Sequence, residues 1–377
     1  MKFRQLGHTG LEVSEIGWGS EHMEGASLAV TQAVVNTALD GGVNIIDAFM
    51  PQPGIRSNLG HALAGRRNEV ILQGHIGAVM KNGQYARSRD VQQCDVFIKD
   101  FLSRFNTDYI DIGMMHFIDT DEDYTEAFES DYIEYVQSLK RDGVIRFLGV
   151  STHNPSTGMK MIGTGLIDVV MFSINPVFDF ASGENMFALM FQGKKMERLK
   201  LDTPRTEFYA ACARKGVGIT VMKALGGGRL LSAELSSLGV PLSVSQCVSF
   251  ALDRPSVSSV LLGAKDVSEM EQALSYEHST SEERDYTSIM ESGLPLQDAK
   301  CLYCNHCLPC PQGIDIAAVT KFLDIAVIHD SASINAHYEA LSAHGGDCSQ
   351  CGSCEENCPF GINIVTNMRE AARIFGK

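Results

Sequence analysis

Along residues 1–285, short and nearly continuous apolar runs alternate with stretches in which apolar residues recur every three or four positions. The runs are SEIGWGS (14–20), VNIIDA (43–48), VILQGHIG (70–77), YIDIGMMHF (109–117), IRFLGVSTH (145–153), VVMFSINP (169–176), GITVMK (218–223) and SVLLG (259–263). Most are followed by a helix-like segment such as VTQAVVNTALDGG or VFIKDFLSRFN, and Gly42, Gly143 and Gly216 fall at helix ends, where positive φ is favoured. Apolar runs separated by helices read as parallel strands covered on both faces. Eight such units predict a (β/α)8 barrel over 1–285, an α/β fold with a typical size of ~250 residues. An open doubly wound sheet is the alternative, but SEIGWGSEHMEG lacks the G-x-G-x-x-G turn expected after its first strand.

Two features depart from the repeat. MKFRQLGHTGLEVS reads as a two-strand hairpin around His8-Thr9-Gly10, ahead of the barrel. A connection of about 30 residues follows strand six, and lengths of this order are usually functional or disordered. It carries Met186, Phe187, Leu189, Met190 and Phe191, so it reads either as a lid over the barrel mouth or as a packed insert.

Cysteine usage marks off a second region, 286–377. Of 11 cysteines, Cys94, Cys212 and Cys247 precede residue 300 and read as small core residues. The others form two runs, Cys301-x2-Cys304-x2-Cys307-x2-Cys310-Pro311 and Cys348-x2-Cys351-x2-Cys354-x3-Cys358-Pro359. The second has the bacterial ferredoxin spacing, and the first is one residue shorter before its last cysteine. Two-residue gaps let a short loop aim three thiolates at three irons, and the proline is expected to start a helix. Zinc sites more often use separated C-x2-C pairs, so four cysteines in a row followed by proline favour two 4Fe–4S clusters. A crossed assignment puts Cys301, Cys304, Cys307 and Cys358 on one cluster and Cys348, Cys351, Cys354 and Cys310 on the other. A local assignment, each run on its own cluster, is the alternative. Residues 314–341 read as helices between the runs. PQGIDI and PFGINI after the two runs look like an internal repeat, and the whole region reads as a small α-helical, ferredoxin-like domain.

Charge and composition narrow the partners. With 31 basic and 46 acidic residues the net charge is −15, which argues against a nucleic-acid reader or docking on an anionic membrane. The N-terminus has no apolar signal region and no run approaches the ~18 apolar residues of a spanning helix. A cytoplasmic protein with a small-molecule substrate is expected.

The opening FRQLGHTGLEVSEIGWG resembles the aldo-keto reductases. So do GVNIIDA, RSNLGHALAGRRNEVIL, YIDIGMMHF, GVIRFLGVSTHNP, GVGITVMKALGGGRLL and SVLLGAKDVSEMEQAL, in order over 1–275. The tail CLPCPQGIDI is similar to that family's iron–sulfur branch. The resemblance implies a barrel with a nicotinamide at its C-terminal face and an Asp, Tyr, Lys, His tetrad. Asp47 matches the Asp and His116 the His. Gln52 stands near the expected Tyr and His75 at the expected Lys, so half the tetrad is missing.

The residues themselves suggest a substitute. Asp47, His75 and His116 fall at the C-terminal ends of neighbouring strands, where barrel active sites are built. A carboxylate-held imidazole can move a proton without an activated tyrosine. His153, Asn154 and Asn175 read as substrate-lining together with Gln52, and Lys223 as a cofactor contact. Gly263, Ala264 and Lys265 lead into a helix whose N-terminus could meet a phosphate, and Gly226, Gly227 and Gly228 could let a cofactor approach. Glu269 falls near the family's NADP-gripping arginine, which favours NAD(H) over NADP(H) or no nicotinamide.

Three functions follow as expectations. The first is an iron–sulfur oxidoreductase of aldo-keto reductase type, with a ferredoxin or other donor as candidate partner. The second is an electron-transfer protein with a silent barrel, and the third a non-redox isomerase or lyase using the histidines.

Overall fold

The computed structural model describes residues 1–180, 201–291, 301–328 and 332–377. The lid expected around Met186 to Phe191 lies outside these residues. The chain divides into two compact units. One comprises Met1–Val79, Arg87–Leu225 and Leu242–Pro295, the other Met80–Ala86, Gly226–Pro241 and Leu296–Lys377. The partition is therefore not linear along the chain, because two short segments from within the first region belong to the second unit.

In the first unit β1 (Phe3–Gln5) and β2 (Glu12–Ser14) form the expected antiparallel hairpin. The barrel strands are β3 (Ile16–Gly19), β4 (Ile45–Ala48), β5 (Ile71–Ile76), β8 (Ile110–Met115), β9 (Ile145–Thr152), β10 (Val169–Ser173), β11 (Gly218–Met222) and β12 (Val257–Gly263); β6 (Ala78–Lys81) and β7 (Gln84–Arg87) make a separate pair. The eight strands close in sequential order, every neighbouring pair parallel. Parallel pairing explains the unbroken apolar runs: all six residues of β8 are buried.

Leu6 and Val13 of the hairpin region pack with Ile45, Ile112, Val169 and Leu261 in one core cluster. Ile45 and Val169 begin their strands, so the hairpin closes the N-terminal end of the barrel and the C-terminal ends are left to build a site. Each such fully buried Leu, Ile or Val side chain contributes roughly 1.5–3 kcal/mol. The β6–β7 pair was not expected, yet Asn82-Gly83 announces it. Both have positive φ (53° and 80°), as a two-residue hairpin turn demands.

The second unit contains helices Ile316–Ile328, Ala332–Glu339 and Ile364–Phe375. Ile314, Ile316, Val319, Leu323, Ile362, Ile364 and Met368 form its core, and six of the eight tail cysteines pack at that core. The expectation that Pro311 and Pro359 start helices needs correction. A turn with Gly313 or Gly361 at positive φ follows each proline, and the helices begin at Ile316 and Ile364. Both are the last isoleucine of the P-x-G-I-x-I segments, so the internal repeat extends to local structure. Among the described residues no helix is long and apolar enough to cross a membrane.

Candidate active site and cysteine centre

Asp47 on β4 lies opposite Gln73 on β5, and His75 follows two residues later on the same face. Gln73 Nε2 donates to Asp47 Oδ1 at 2.7 Å, and Thr220 Oγ1 donates to Gln73 Oε1 at 3.1 Å, which fixes the carboxylate. His75 Nε2 lies 2.9 Å from Asp47 Oδ1, and His75 Nδ1 lies 2.7 Å from Nδ1 of His116, one residue beyond β8. All three are about 3% exposed or less. The structure thus brings Asp47, His75 and His116 into one hydrogen-bonded chain.

An ionised carboxylate only accepts, so His75 Nε2 donates to Asp47. With His75 neutral, its Nδ1 then accepts from His116 Nδ1–H, and the lone pair of His116 is on Nε2. One added proton reverses the middle bond and makes His116 Nε2 a donor. Burial, then neighbouring His75, Arg89 and Arg87, hold the His116 pKa well below its ordinary value. The Asp47 carboxylate, the counter-charge nearest the pair, is in contact with His75.

Residues outside the sequence expectation orient His116. The Phe49 ring stacks on it at 5.6 Å and 10°, and Arg89 Nη2 donates to the carbonyls of His116 and Phe117 at 2.6 and 2.9 Å. Phe117 itself takes φ of 54°. Only Phe49, adjacent to the strand-two motif, could have been suspected from sequence.

A second chain runs beside the first. His153, one residue past β9, bonds Asp119 Oδ2 through Nδ1 at 2.8 Å and Lys223 Nζ through Nε2 at 3.0 Å. Burial lowers the His153 pKa, against Asp119 and with Lys223. Burial alone would raise the Asp119 carboxyl, but His153 holds it below its ordinary value. Asn154 is a helix cap, accepting from Ser156 and Thr157 N–H groups. Asn175 donates to the Lys223 carbonyl at 2.9 Å and accepts from Phe178 N–H at 3.0 Å. Both asparagines position backbone. Gln52 precedes the helix Pro53–Ala62, and its buried Oε1 has no hydrogen-bond partner among the described residues.

In the second unit, Cys310, Cys348, Cys351 and Cys354 line one cavity, closed by Ile314, Ile316 and Met368. Burial first, then Cys304 and Cys358, push the Cys301 thiol up to about 12 against a bond from Tyr303 N–H. Cys307 is raised by burial, then by Cys304, Cys301, Cys358 and Cys354. Cys310 of the first run thus shares a cavity with three cysteines of the second. Among the described residues no group of three or more His, Cys, Asp or Glu side chains is arranged to hold a single metal ion. A single ion draws its donors onto one point, whereas a cube holds four thiolates apart at its corners. A cavity lined by four cysteines and apolar side chains fits such a cube. Thiols as buried as those of Cys301 and Cys307 need a neighbouring positive charge, such as a metal's, to become thiolates.

The aldo/keto reductase family model matches residues 15–241. The chain belongs to the aldo/keto reductase family. It is 24% identical over 284 residues to YqkF, an uncharacterized oxidoreductase of Bacillus subtilis, spanning 72% of this chain and 90% of that one. L-galactose dehydrogenase of Arabidopsis thaliana is 25% identical over 305 residues, spanning 72% and 86%. The holo form of aldo-keto reductase AKR11C1 from Bacillus halodurans shares the fold, with a TM-score of 0.60 at 23% identity over 79% of this chain and 97% of that one.

An aldo/keto reductase invites a test for a dinucleotide site. Glu269 Oε2 accepts from Lys265 N–H at 3.0 Å, its Oε1 pairs with Lys265 Nζ at 3.2 Å, and Asp266 Oδ1 accepts from Glu269 N–H at 2.9 Å. Two carboxylates thus occupy the helix start where a pyrophosphate would dock, and like charge repels it. A Cβ on Gly263 would meet the His22 ring at 2.5 Å. Gly226 and Gly227 belong to the second unit, where a Cβ on Gly227 would strike the Leu302 carbonyl at 2.6 Å. Its close approach serves the chain's own backbone. These residues do not fit a dinucleotide.

Proposed function

We propose that this aldo/keto reductase family member is an iron–sulfur oxidoreductase acting on a small carbonyl or alcohol, with protons moved by Asp47, His75 and His116. The observation that carries the reading is the continuous chain of 2.9 and 2.7 Å contacts among those three side chains. It stands where the family's Tyr and Lys are replaced.

In the reducing direction two electrons and two protons turn the carbonyl into an alcohol: His116 Nε2–H supplies the proton that ends on oxygen, and solvent supplies the one that ends on carbon. His116 Nδ1 takes the proton of His75, and His75 returns to the neutral form with Nε2–H still on Asp47. Oxidation runs the same path backwards, so one geometry supplies acid or base as required. Asp47 stabilises the imidazolium that would otherwise be buried without a counter-charge. Gln52, whose Oε1 has no partner among the described residues, would accept a bond from a substrate hydroxyl. Cys301, Cys304, Cys307 and Cys358 would hold one 4Fe–4S cluster and Cys310, Cys348, Cys351 and Cys354 the other. When bound, the clusters would supply one-electron carriers, with a ferredoxin-type protein as the donor.

The test is a panel of carbonyl compounds with reduced methyl viologen as electron source and anaerobically purified protein. His75→Ala and His116→Ala should each slow turnover by ~100-fold or more, the scale of losing a positioned acid or base. Iron content should be unchanged. Near-normal turnover in both variants would overturn the assignment.

A further inference from the structure

Lys223 combines three unusual features. It is the first residue after β11 and takes φ of 62°, a region that L side chains rarely enter. Its carbonyl is pinned by Asn175. Its Nζ meets His153 Nε2 at 3.0 Å, and His153 Nδ1 meets a carboxylate held by two further bonds. Asp119 Oδ2 takes the ring, while Oδ1 takes His153 N–H at 2.6 Å and Thr152 Oγ1 at 2.8 Å. Asn154 Nδ2 and Thr157 Oγ1 hold the Asp119 carbonyl at 2.9 and 2.8 Å.

The tautomer follows. His153 Nδ1–H donates to Asp119, so Nε2 carries the lone pair and faces the Lys223 ammonium. Nucleophile, base and orienting carboxylate thus stand in line, the arrangement that activates a nucleophile in covalent catalysis. The Phe117 ring lies 5.6 Å from His153 and 6.4 Å from His116, so both chains flank one residue at the C-terminal face.

We infer that Lys223 forms an imine with a carbonyl substrate, His153 accepting the ammonium proton and Asp119 holding His153 in the receptive tautomer. The amine adds to the carbonyl carbon and its proton passes to oxygen. The carbinolamine then loses that oxygen as water with the proton returned by His153. In sum, one aldehyde or ketone and the lysine ammonium give one protonated imine and one water, with no oxidant or reductant. Lys223 and His153 are the catalytic residues here; Asp119 acts through His153 as a positioning residue. The inference rests on reading the barrel mouth as a carbonyl site, and not on the His75–His116 chain.

Reductive trapping tests it. Anaerobically purified protein is incubated with glyceraldehyde or dihydroxyacetone and cyanoborohydride, and the adduct is mapped by peptide mass spectrometry. Lys223 should label at least ~10-fold faster at pH 7 than solvated lysines, whose amines are protonated there. Lys223→Arg and Lys223→Met should lose that adduct with circular dichroism unchanged. His153→Ala should slow labelling and restore the tenfold-per-pH-unit rise of an unassisted amine. His116→Ala should label as wild type does, which separates this test from that of the proton relay. No Lys223 adduct from either probe, or labelling of Lys223 at the rate and pH dependence of surface lysines, would overturn the inference.

Discussion

A histidine whose pKa falls on folding reports itself as acid sensitivity. Burial lowers both His116 and His153 below their ordinary 6.5. Below pH 6.5 the unfolded chain takes up protons that the folded chain refuses, so the unfolded state binds more protons and stability falls with pH. The loss begins near 6.5 and ends at the folded pKa values, at up to about 1.4 kcal/mol per pH unit for each group. Asp119 acts in a lower window. Its stability is present above 3.8 and is lost as pH falls through its depressed folded pKa. Anaerobic urea melts from pH 8 to pH 5 should show falling stability, and His116→Asn should flatten the slope. A pH-independent profile would mean that neither ring is held neutral. At this scale sequence reveals one chain and part of the other. Asp47, His75 and His116 each stand at the end of an apolar run, so strand ends mark them, and His153 and Lys223 end runs in the same way. Asp119, 34 residues from His153, lies in a loop position that no strand boundary flags.

Elements are held by a few buried polar ties as well as by apolar packing. Asp179 in the short helix Pro176–Phe180 accepts from Arg205 Nε and Tyr209 OH, both at 2.7 Å, and Arg205 also donates to the Ser173 carbonyl at the end of β10. Arg205 and Tyr209 sit on helix Thr203–Lys215, so the cluster locks that helix to the sixth barrel strand. Arg205→Ala leaves Asp179 buried without its guanidinium and should destabilise the barrel by about 3–5 kcal/mol, read as a lower urea midpoint. A change under about 1 kcal/mol would show that solvent replaces the arginine. The strands were legible because a parallel sheet buried on both faces requires unbroken apolar runs. The β6–β7 hairpin was less so, its alternation being only four residues per strand, although Asn82-Gly83 carried the signal. The helices after the cysteine runs begin later than proline placement implies because Gly313 and Gly361 must first turn the chain.

For the molecule as a whole, the barrel and the cysteine-bearing unit make separate predictions. If the eight tail cysteines hold two 4Fe–4S clusters as proposed, the protein should bind about eight irons and eight acid-labile sulfides per chain. Cys310→Ser and Cys358→Ser should each remove about half, by iron and sulfide assay of anaerobic protein, and stoichiometric zinc in place of iron would contradict the reading. The proposed relay depends on where protons sit in the barrel. Neutron diffraction from a deuterated crystal near pD 7 shows them directly. Asp47 should be unprotonated, with a deuteron on His75 Nε2 facing it and a deuteron shared between His75 Nδ1 and His116 Nδ1. A deuteron on Asp47 with His75 Nε2 bare would reverse the chain and contradict the proposed relay.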